Sequence, residues 1–154
     1  MKLRVLTIGR PDTPWAETAI EVYRTRLKRW VPVDETFVKP ETFRGDVDKV
    51  RAAEAERLAA AVGERDRLFV LDERGESPDS DGFLRILEAT QSSGCAAMTW
   101  AIGGPYGHGP ALRERAFKVV RLSSLVLNHE IARVVLWEQL YRAYARQNGT
   151  PYHH

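Results

Sequence analysis

One stretch of the chain decides the fold. Residues 97 to 107 read Ala-Met-Thr-Trp-Ala-Ile-Gly-Gly-Pro-Tyr-Gly. The first six residues are typical of a buried strand. A turn rich in glycine and proline ends this strand, and a helical segment over residues 110–118 follows at once. In an open α/β sheet, such turns at the carboxyl ends of strands bring bare backbone close to a small ligand. The turn is therefore either a ligand loop or a plain connection between strand and helix.

The spacing of the glycines excludes two familiar nucleotide motifs. Gly103, Gly104, Gly107 and Gly109 do not fit the dinucleotide fingerprint, and no Gly-Lys-Ser/Thr follows to make a phosphate loop. A zinc hydrolase is excluded as well, because the segment His-Glu-Ile-Ala-Arg at 129–133 lacks the second histidine of a zinc-protease helix. We therefore expect no metal.

Strand-like and helix-like segments alternate along the chain. Apolar alternation and β-forming residues predict strands at 2–8, 34–38, 67–72, 96–102 and 118–122. Helical spacing predicts helices at 14–30, 47–62, 82–91, 110–118 and 129–147, with Gly63 placed to end the second helix and a polar turn at 73–79. This order predicts one α/β domain over residues 1–154, with a mostly parallel sheet flanked by helices.

The composition describes an ordinary globular protein. The 154 residues are 44% hydrophobic and 29% charged, and a single cysteine excludes a disulfide framework. The first apolar run is too short for a signal peptide and no later stretch could cross a bilayer, so we expect a cytoplasmic protein without a membrane partner. A net charge of +2 does not itself indicate nucleic acid. The basic cluster that contains Arg24 and Arg26 is either an RNA contact or a solvated helix face.

The last predicted helix, residues 129–147, is apolar almost all the way around. Such a helix is buried rather than laid on a surface. We predict that a second copy of the chain covers its second side, which makes the protein a homodimer through this helix. Glu138 and Arg142 lie four residues apart on it, as an ordinary ion pair or as functional groups.

Six segments carry a family resemblance. They are Val70-Leu71-Asp72, Ile102 to Gly107, Leu122-Ser123, His129 with Arg133, Glu138 to Ala143, and Gly149 to His153. In this order and spacing the chain resembles, over its full length, the bacterial ribosomal large-subunit pseudouridine N3-methyltransferases, which belong to the SPOUT (α/β-knot) superfamily. The resemblance implies a deep trefoil knot, a homodimer and S-adenosylmethionine as the methyl donor.

The resemblance also implies where the donor binds. The implied residues lie in three segments and are Leu71, Gly104, Ser123, Ser124, Leu125, Val126, Leu127 and Asn128. Apolar side chains in this set can enclose an adenine, and the glycine lets backbone approach the ligand. One position departs from the family, whose members commonly carry proline where this chain has Asn128. Asparagine is a good helix N-cap, so the helix start is expected to survive the exchange.

The implied reaction transfers a methyl group to N3 of a pseudouridine in 23S ribosomal RNA, and we expect the assembled ribosome to be the substrate. The implied catalytic residues are Glu138, Arg142, His129, Tyr152 and His153, combined from two subunits. Arg133, Arg24 and Arg26 are expected to contact the RNA. Two alternatives stay open: a related knot-type enzyme that methylates transfer RNA, and a non-catalytic module that binds S-adenosylmethionine or RNA.

Overall fold

The computed structural model of the chain describes residues 1–152. Within this range five strands alternate with five helices. In chain order the elements are β1 (Lys2–Ile8), α1 (Pro14–Leu27), β2 (Val33–Val38), α2 (Val47–Ala61), β3 (Arg67–Glu76), α3 (Ser80–Ser92), β4 (Ala97–Ile102), α4 (Pro110–Arg115), β5 (Lys118–Val120) and α5 (His129–Gln147). The predicted alternation of strands and helices is confirmed, and α5 has the bounds that its spacing predicts.

The five strands form one sheet in the order β2-β1-β4-β3-β5, and every neighbouring pair is parallel. All six residues of β4 are buried. A parallel sheet covered on both faces requires this, because neither face of a central strand meets water. The apolar run that opens the decisive stretch is therefore the centre of the fold, and its glycine turn emerges at the carboxyl edge of the sheet.

Helices cover both faces of the sheet. On one face α1, α3 and α5 enclose Trp100, whose ring stacks on Phe69 at 4.7 Å and on Phe83 at 5.7 Å between centroids. On the other face α2 and α4 contribute Leu58 and Leu112 to a smaller core. The alternating side chains of the strands supply both cores, as the two-residue repeat of a strand requires.

Several predicted element ends differ from the structure: α1 ends at Leu27 and not at residue 30, α4 ends at Arg115 and not at residue 118, and β5 ends at Val120 and not at residue 122. For β3 and α2 the structure shows why the ends differ. β3 continues to Glu76 through an irregularity after Leu71, because its backbone at Gly75 lies against β5 so closely that a Cβ there would be 2.6 Å from the amide nitrogen of Val120. The predicted polar turn therefore begins later. α2 ends at Ala61 because Val62 is extended, and Gly63 is not in the left-handed region that was expected to end the helix.

The reason for predicting a dimer through α5 is also corrected. α1 and α3 of the same chain cover both sides of this helix, and they bury most of its apolar residues. A stripe of Ile131, Val135, Glu138 and Arg142 stays partly exposed. The homodimer stays a prediction, but the burial of α5 does not by itself require it. No helix in residues 1–152 is long and apolar enough to cross a membrane.

Candidate functional site

A cleft of about 590 Å³ opens at the carboxyl ends of β3, β4 and β5. Most of its walls come from three segments: residues 71–74 at the irregularity in β3, residues 102–108 at and after the end of β4, and residues 120–129 from the end of β5 to the start of α5. Arg51 of α2 and Ala132 of α5 complete the lining. This is the edge of a parallel sheet where ligands collect, and the volume lies in the range of sites for small ligands. The glycine turn is therefore one wall of a cavity as well as a connection.

Most residues predicted to hold a cofactor line this cleft. They are Leu71, Gly104, Ser123, Leu125, Val126, Leu127 and Asn128, whereas Ser124 does not line it. His129 lines it as well. Leu125 and Val126 are 73% and 84% exposed, so the loop presents bare apolar side chains at the cleft. Among the described residues nothing covers them.

The start of α5 is built as the sequence predicts. The Asn128 side chain accepts a hydrogen bond from the amide of Glu130 at 2.8 Å, which is the N-cap contact. The Ser123 hydroxyl accepts one from the amide of Leu125 at 2.9 Å. These local contacts order both ends of the loop and set where His129 enters the cleft.

Gly104 is required for a reason that the sequence did not reveal. A Cβ at this position would lie 3.1 Å from Oε2 of Glu54 on α2 and 3.1 Å from Cγ2 of Ile8. The missing side chain therefore lets the turn pack against α2. Burial raises the pKa of the Glu54 carboxyl, which accepts a hydrogen bond from the Glu41 amide at 3.0 Å.

His108 is a cleft residue that sequence reasoning missed. Its side chain is buried, and its ring lies so close to Gly103 that a Cβ there would be 3.1 Å from Nε2. Burial lowers the pKa of His108 to about 4, so the imidazole is neutral at physiological pH. Its Nε2 has no hydrogen-bond partner in the part of the chain that the structure describes. No sequence signal marks it, because it follows a glycine in a polar turn.

The prediction that Arg133 contacts RNA is wrong, because the side chain is not accessible. The Arg133 side chain is wholly buried, with Nε 2.5 Å from Oε1 of Glu35 and with an ion pair to Glu17. Arg24 lies 3.5 Å from the other oxygen of Glu35. We call Glu17, Arg24, Glu35 and Arg133 the buried ion cluster, after Arg133 and Glu35 at its centre; the side chains of Arg24 and Glu17 reach the surface and are 24% and 43% exposed. The cluster joins α1, β2 and α5, and it leaves Arg26 as the most exposed of the predicted RNA contacts.

Three of the predicted catalytic residues form a second group, which we call the tail cluster: Glu138, Arg142 and Tyr152. The Arg142 guanidinium contacts Oε1 of Glu138 through Nε at 3.0 Å and through a terminal nitrogen at 2.6 Å. It also lies over the Tyr152 ring, 4.9 Å from the centroid. Burial and a hydrogen bond with Tyr23 raise the pKa of the Tyr152 hydroxyl. His153 lies outside the described residues.

The cleft and the tail cluster lie apart within one chain. Glu138 lies six positions after Ala132, the last residue of α5 that lines the cleft, which places it about 9 Å along the helix axis from that wall. No member of the tail cluster lines the cleft. The structure thus gathers the predicted cofactor residues in one place and most of the predicted catalytic residues in another.

An all-parallel sheet with a cleft at its carboxyl edge places the chain among α/β proteins, a class in which small ligands bind beyond the strand ends. The family described as "Predicted SPOUT methyltransferase" matches residues 1–153, and the chain belongs to this family. The predicted α/β-knot class and the prediction of a methyltransferase are thereby confirmed.

Similar proteins cover the chain from end to end. A protein of Geobacter sp. (strain M21) named ribosomal RNA large subunit methyltransferase H is 38% identical over 154 residues, which is 100% of this chain and 99% of the relative. A protein of the same name from Geotalea daltonii is 36% identical over 100% of both chains. A putative RNA methyltransferase from Arabidopsis thaliana is 37% identical over 100% of this chain and 80% of its own length.

Proposed function

We propose that this chain is an S-adenosylmethionine-dependent methyltransferase that methylates N3 of a pseudouridine in 23S ribosomal RNA. The observation that carries the proposal is that the segments predicted to hold the methyl donor meet in one cleft. The names of full-length relatives, which act on ribosomal RNA of the large subunit, support the substrate class. The substrate places the enzyme in the cytoplasm, as the sequence predicts.

The cleft has the chemistry to hold the donor. Leu71, Leu125 and Leu127 offer apolar surface for an adenine, and the backbone at Gly103 and Gly104 is bare. The unpartnered Nε2 of His108 adds one polar group to the wall. When bound, the donor supplies the reactive methyl carbon and its own leaving group, so the protein must align the base and take up the N3 proton.

The tail cluster supplies the groups for that proton. We propose that the Glu138 carboxylate accepts it, because Arg142 holds Oε1 of this carboxylate in place through two nitrogens, at 2.6 Å and 3.0 Å. Arg142 and Tyr152 then position the base or its phosphate. His129, at the wall of the cleft, is the second candidate acceptor, and His153 is the third.

The cleft and the tail cluster can meet across two chains. Because no member of the tail cluster lines the cleft of its own chain, we propose that a second copy brings its tail cluster to the cleft, in the predicted homodimer. The partly exposed stripe on α5 would lie in that interface. Light scattering should then give twice the chain mass of 17.5 kDa. A monomer in solution would remove this part of the proposal.

The choice of one pseudouridine among many bases needs more contacts than this chain offers. We therefore propose that the assembled ribosome is the substrate and that its surface supplies the remaining contacts.

The test is a methyl-transfer assay with labelled S-adenosylmethionine. Purified protein is offered ribosomes from cells that lack the gene, the naked ribosomal RNA, and transfer RNA. We expect label in 23S RNA of the ribosomes, located at one pseudouridine by mass spectrometry, and a rate at least about 100-fold lower for Glu138→Gln. Equal methylation of naked RNA would overturn the ribosomal substrate, and label in transfer RNA would support the first alternative. Donor binding without transfer would support a binding module.

A further inference from the structure

Two aromatic rings lie stacked and exposed beside the cleft. Phe43, in the loop between β2 and α2, lies 5.4 Å from Tyr106 of the glycine turn, with 28° between the ring planes. Phe43 is 48% exposed and Tyr106 is 36% exposed, while Tyr106 also lines the cleft. Large aromatic side chains left in contact with water next to a binding site indicate a surface that meets a partner.

The backbone holds both rings in place. The amide of Gly107 donates to the carbonyl of Gly104 at 3.0 Å, which makes a tight turn with Tyr106 at its tip. Arg51 on α2 donates from Nε to the Tyr106 carbonyl at 2.8 Å and ties this tip to the helix. At the other loop, Asp46 caps α2 through the Asp48 amide at 2.9 Å. The stacked pair is therefore a preorganised feature and not a pair of free loop tips.

The charges near the rings suit RNA. Arg44 follows Phe43 in the chain, and Arg74 and Arg121 lie on the wall of the cleft. In residues 1–152 none of these three guanidinium groups pairs with a carboxylate, whereas Arg113 nearby is paired with Asp72. Arginines without carboxylate partners beside exposed aromatic rings are what proteins use to bind phosphates and stack unpaired bases.

We propose that Phe43 and Tyr106 form a stacking platform for an unpaired base of the substrate RNA, a neighbour of the pseudouridine that enters the cleft. This rests on the proposed function, since it assigns the platform to the same RNA. RNA is the occupant that the charges favour, because Arg44, Arg74 and Arg121 have no carboxylate partner among the described residues and can contact phosphates.

The test substitutes Phe43, which lines no part of the cleft and can be removed without touching the donor. Cosedimentation with ribosomes from cells that lack the gene measures binding without any methyl transfer. We expect Phe43→Ala to weaken ribosome binding and to raise the KM for ribosomes by roughly tenfold. The kcat and the affinity for S-adenosylmethionine, measured by calorimetry, should not change, and Phe43→Trp should bind like the unchanged protein.

The matched control is Phe117→Ala, because Phe117 is another exposed phenylalanine, 55% exposed, that does not line the cleft. It should leave ribosome binding unchanged. Binding by Phe43→Ala within twofold of the unchanged protein, or an equal loss in the control, would overturn the platform. The unchanged protein could also transfer no methyl group and still bind ribosomes tightly in a way that depends on Phe43. That result would overturn the proposed function and leave the platform supported.

Discussion

Two arginines of the same helix have opposite surroundings. Arg133 is wholly buried and is paired with Glu35 and Glu17, which come from other elements of the fold. Arg142 is partly exposed and is paired with Glu138, four residues away on its own helix. The buried ion cluster joins three elements through ion pairs, whereas the one ion pair of the tail cluster stays within α5 and only its Tyr152 ring reaches another element, at Tyr23 of α1. The groups packed opposite a charge therefore decide whether it holds the fold or remains free for chemistry.

The energetic consequences of the two arrangements differ in kind. Removing one partner from a buried ion pair leaves the other charge without water or a counter-charge, which is costly. Removing a partner from a pair with access to water costs little, because water replaces it. Unfolding free energy and methyl transfer, measured separately for a variant of each arginine, therefore test whether the two arginines have different roles.

The largest effect is expected at Arg133. Arg133→Ala should lower the free energy of unfolding by about 3 kcal/mol, because it removes the nearer partner of the buried Glu35 carboxylate and leaves it only Arg24 as a counter-charge, at 3.5 Å. Urea denaturation measures this loss. Methyl transfer per folded molecule should stay within a few-fold of the unchanged enzyme.

Arg142→Ala is the matched control on the same helix. It should cost about 1–2 kcal/mol in unfolding free energy, less than Arg133→Ala, because the Glu138 side chain is 18% exposed whereas that of Glu35 is only 1% exposed. Methyl transfer should fall by at least about tenfold. If Arg142→Ala unfolds the protein while Arg133→Ala leaves stability unchanged, the assignment of the two clusters is reversed.

The second largest effect concerns pH and extends the comparison to the cleft. The folded pKa of His108, about 4, lies below its usual 6.5 because the ring is buried. As the pH falls through 6.5 the unfolded chain takes up a proton that the folded chain refuses, so stability is lost between pH 6.5 and pH 4. The loss is about 3 kcal/mol.

Denaturation midpoints across this pH range measure the effect, and His108→Phe removes the titrating group. The variant should lose less stability on acidification than the unchanged protein. An identical pH dependence in both proteins would show that the His108 ring is accessible to protons in the folded state.

A smaller effect is expected in the glycine turn. Gly104→Ala puts a Cβ against Glu54 and Ile8 at 3.1 Å, so the turn must shift and the donor should bind several-fold more weakly. Gly109→Ala is the control, because its Cβ would meet Arg51 at an ordinary 3.5 Å. Calorimetry with S-adenosylmethionine measures both. If both variants bind S-adenosylmethionine equally tightly, the packing of the turn at Gly104 has no effect on donor binding.

The smallest effect is expected at Asn128. Its φ of −56° is one that proline adopts, so Asn128→Pro removes only the cap hydrogen bond and should cost about 1 kcal/mol of stability. A stiffer loop should bind the donor about as tightly or slightly more tightly. Thermal denaturation and calorimetry measure the two quantities. A large loss of stability or of donor affinity would show that this chain requires asparagine at position 128.

The sequence predicted the elements that local patterns determine. The bounds of α5, the cap at Asn128 and the strand before the glycine turn follow from spacing and from residue chemistry within a few positions. The sequence did not predict contacts between residues that lie far apart in the chain. Glu35 lies 98 residues from Arg133, so nothing in the pattern around Arg133 revealed its burial. The same holds for α5, whose apolar circumference gave no sign that α1 and α3 would cover it, and for Glu54 behind Gly104.

The candidate site was only partly accessible to sequence reasoning for the same reason. The three cofactor segments could be named because the family resemblance implies them, and their meeting in one cleft fits a parallel sheet, which gathers strand ends at one edge. His108, Arg51 and Phe43 have no motif, since their positions at or beside the cleft come from the packing of α2 and of the turn. The distance between the tail cluster and the cleft could not be read from the sequence at all.

The central claim is that one active site combines the cleft of one chain with the tail cluster of another. Heterodimers purified with two different tags test it most directly. One chain carries Leu127→Arg, whose cation in the cleft wall repels the sulfonium of the donor, and the other carries Glu138→Gln. Each variant should be inactive as a homodimer, and the heterodimer should recover about half of the wild-type rate, because one of its two sites contains an intact cleft and an intact tail. A heterodimer as inactive as its parents would contradict the claim and place the whole site within a single chain.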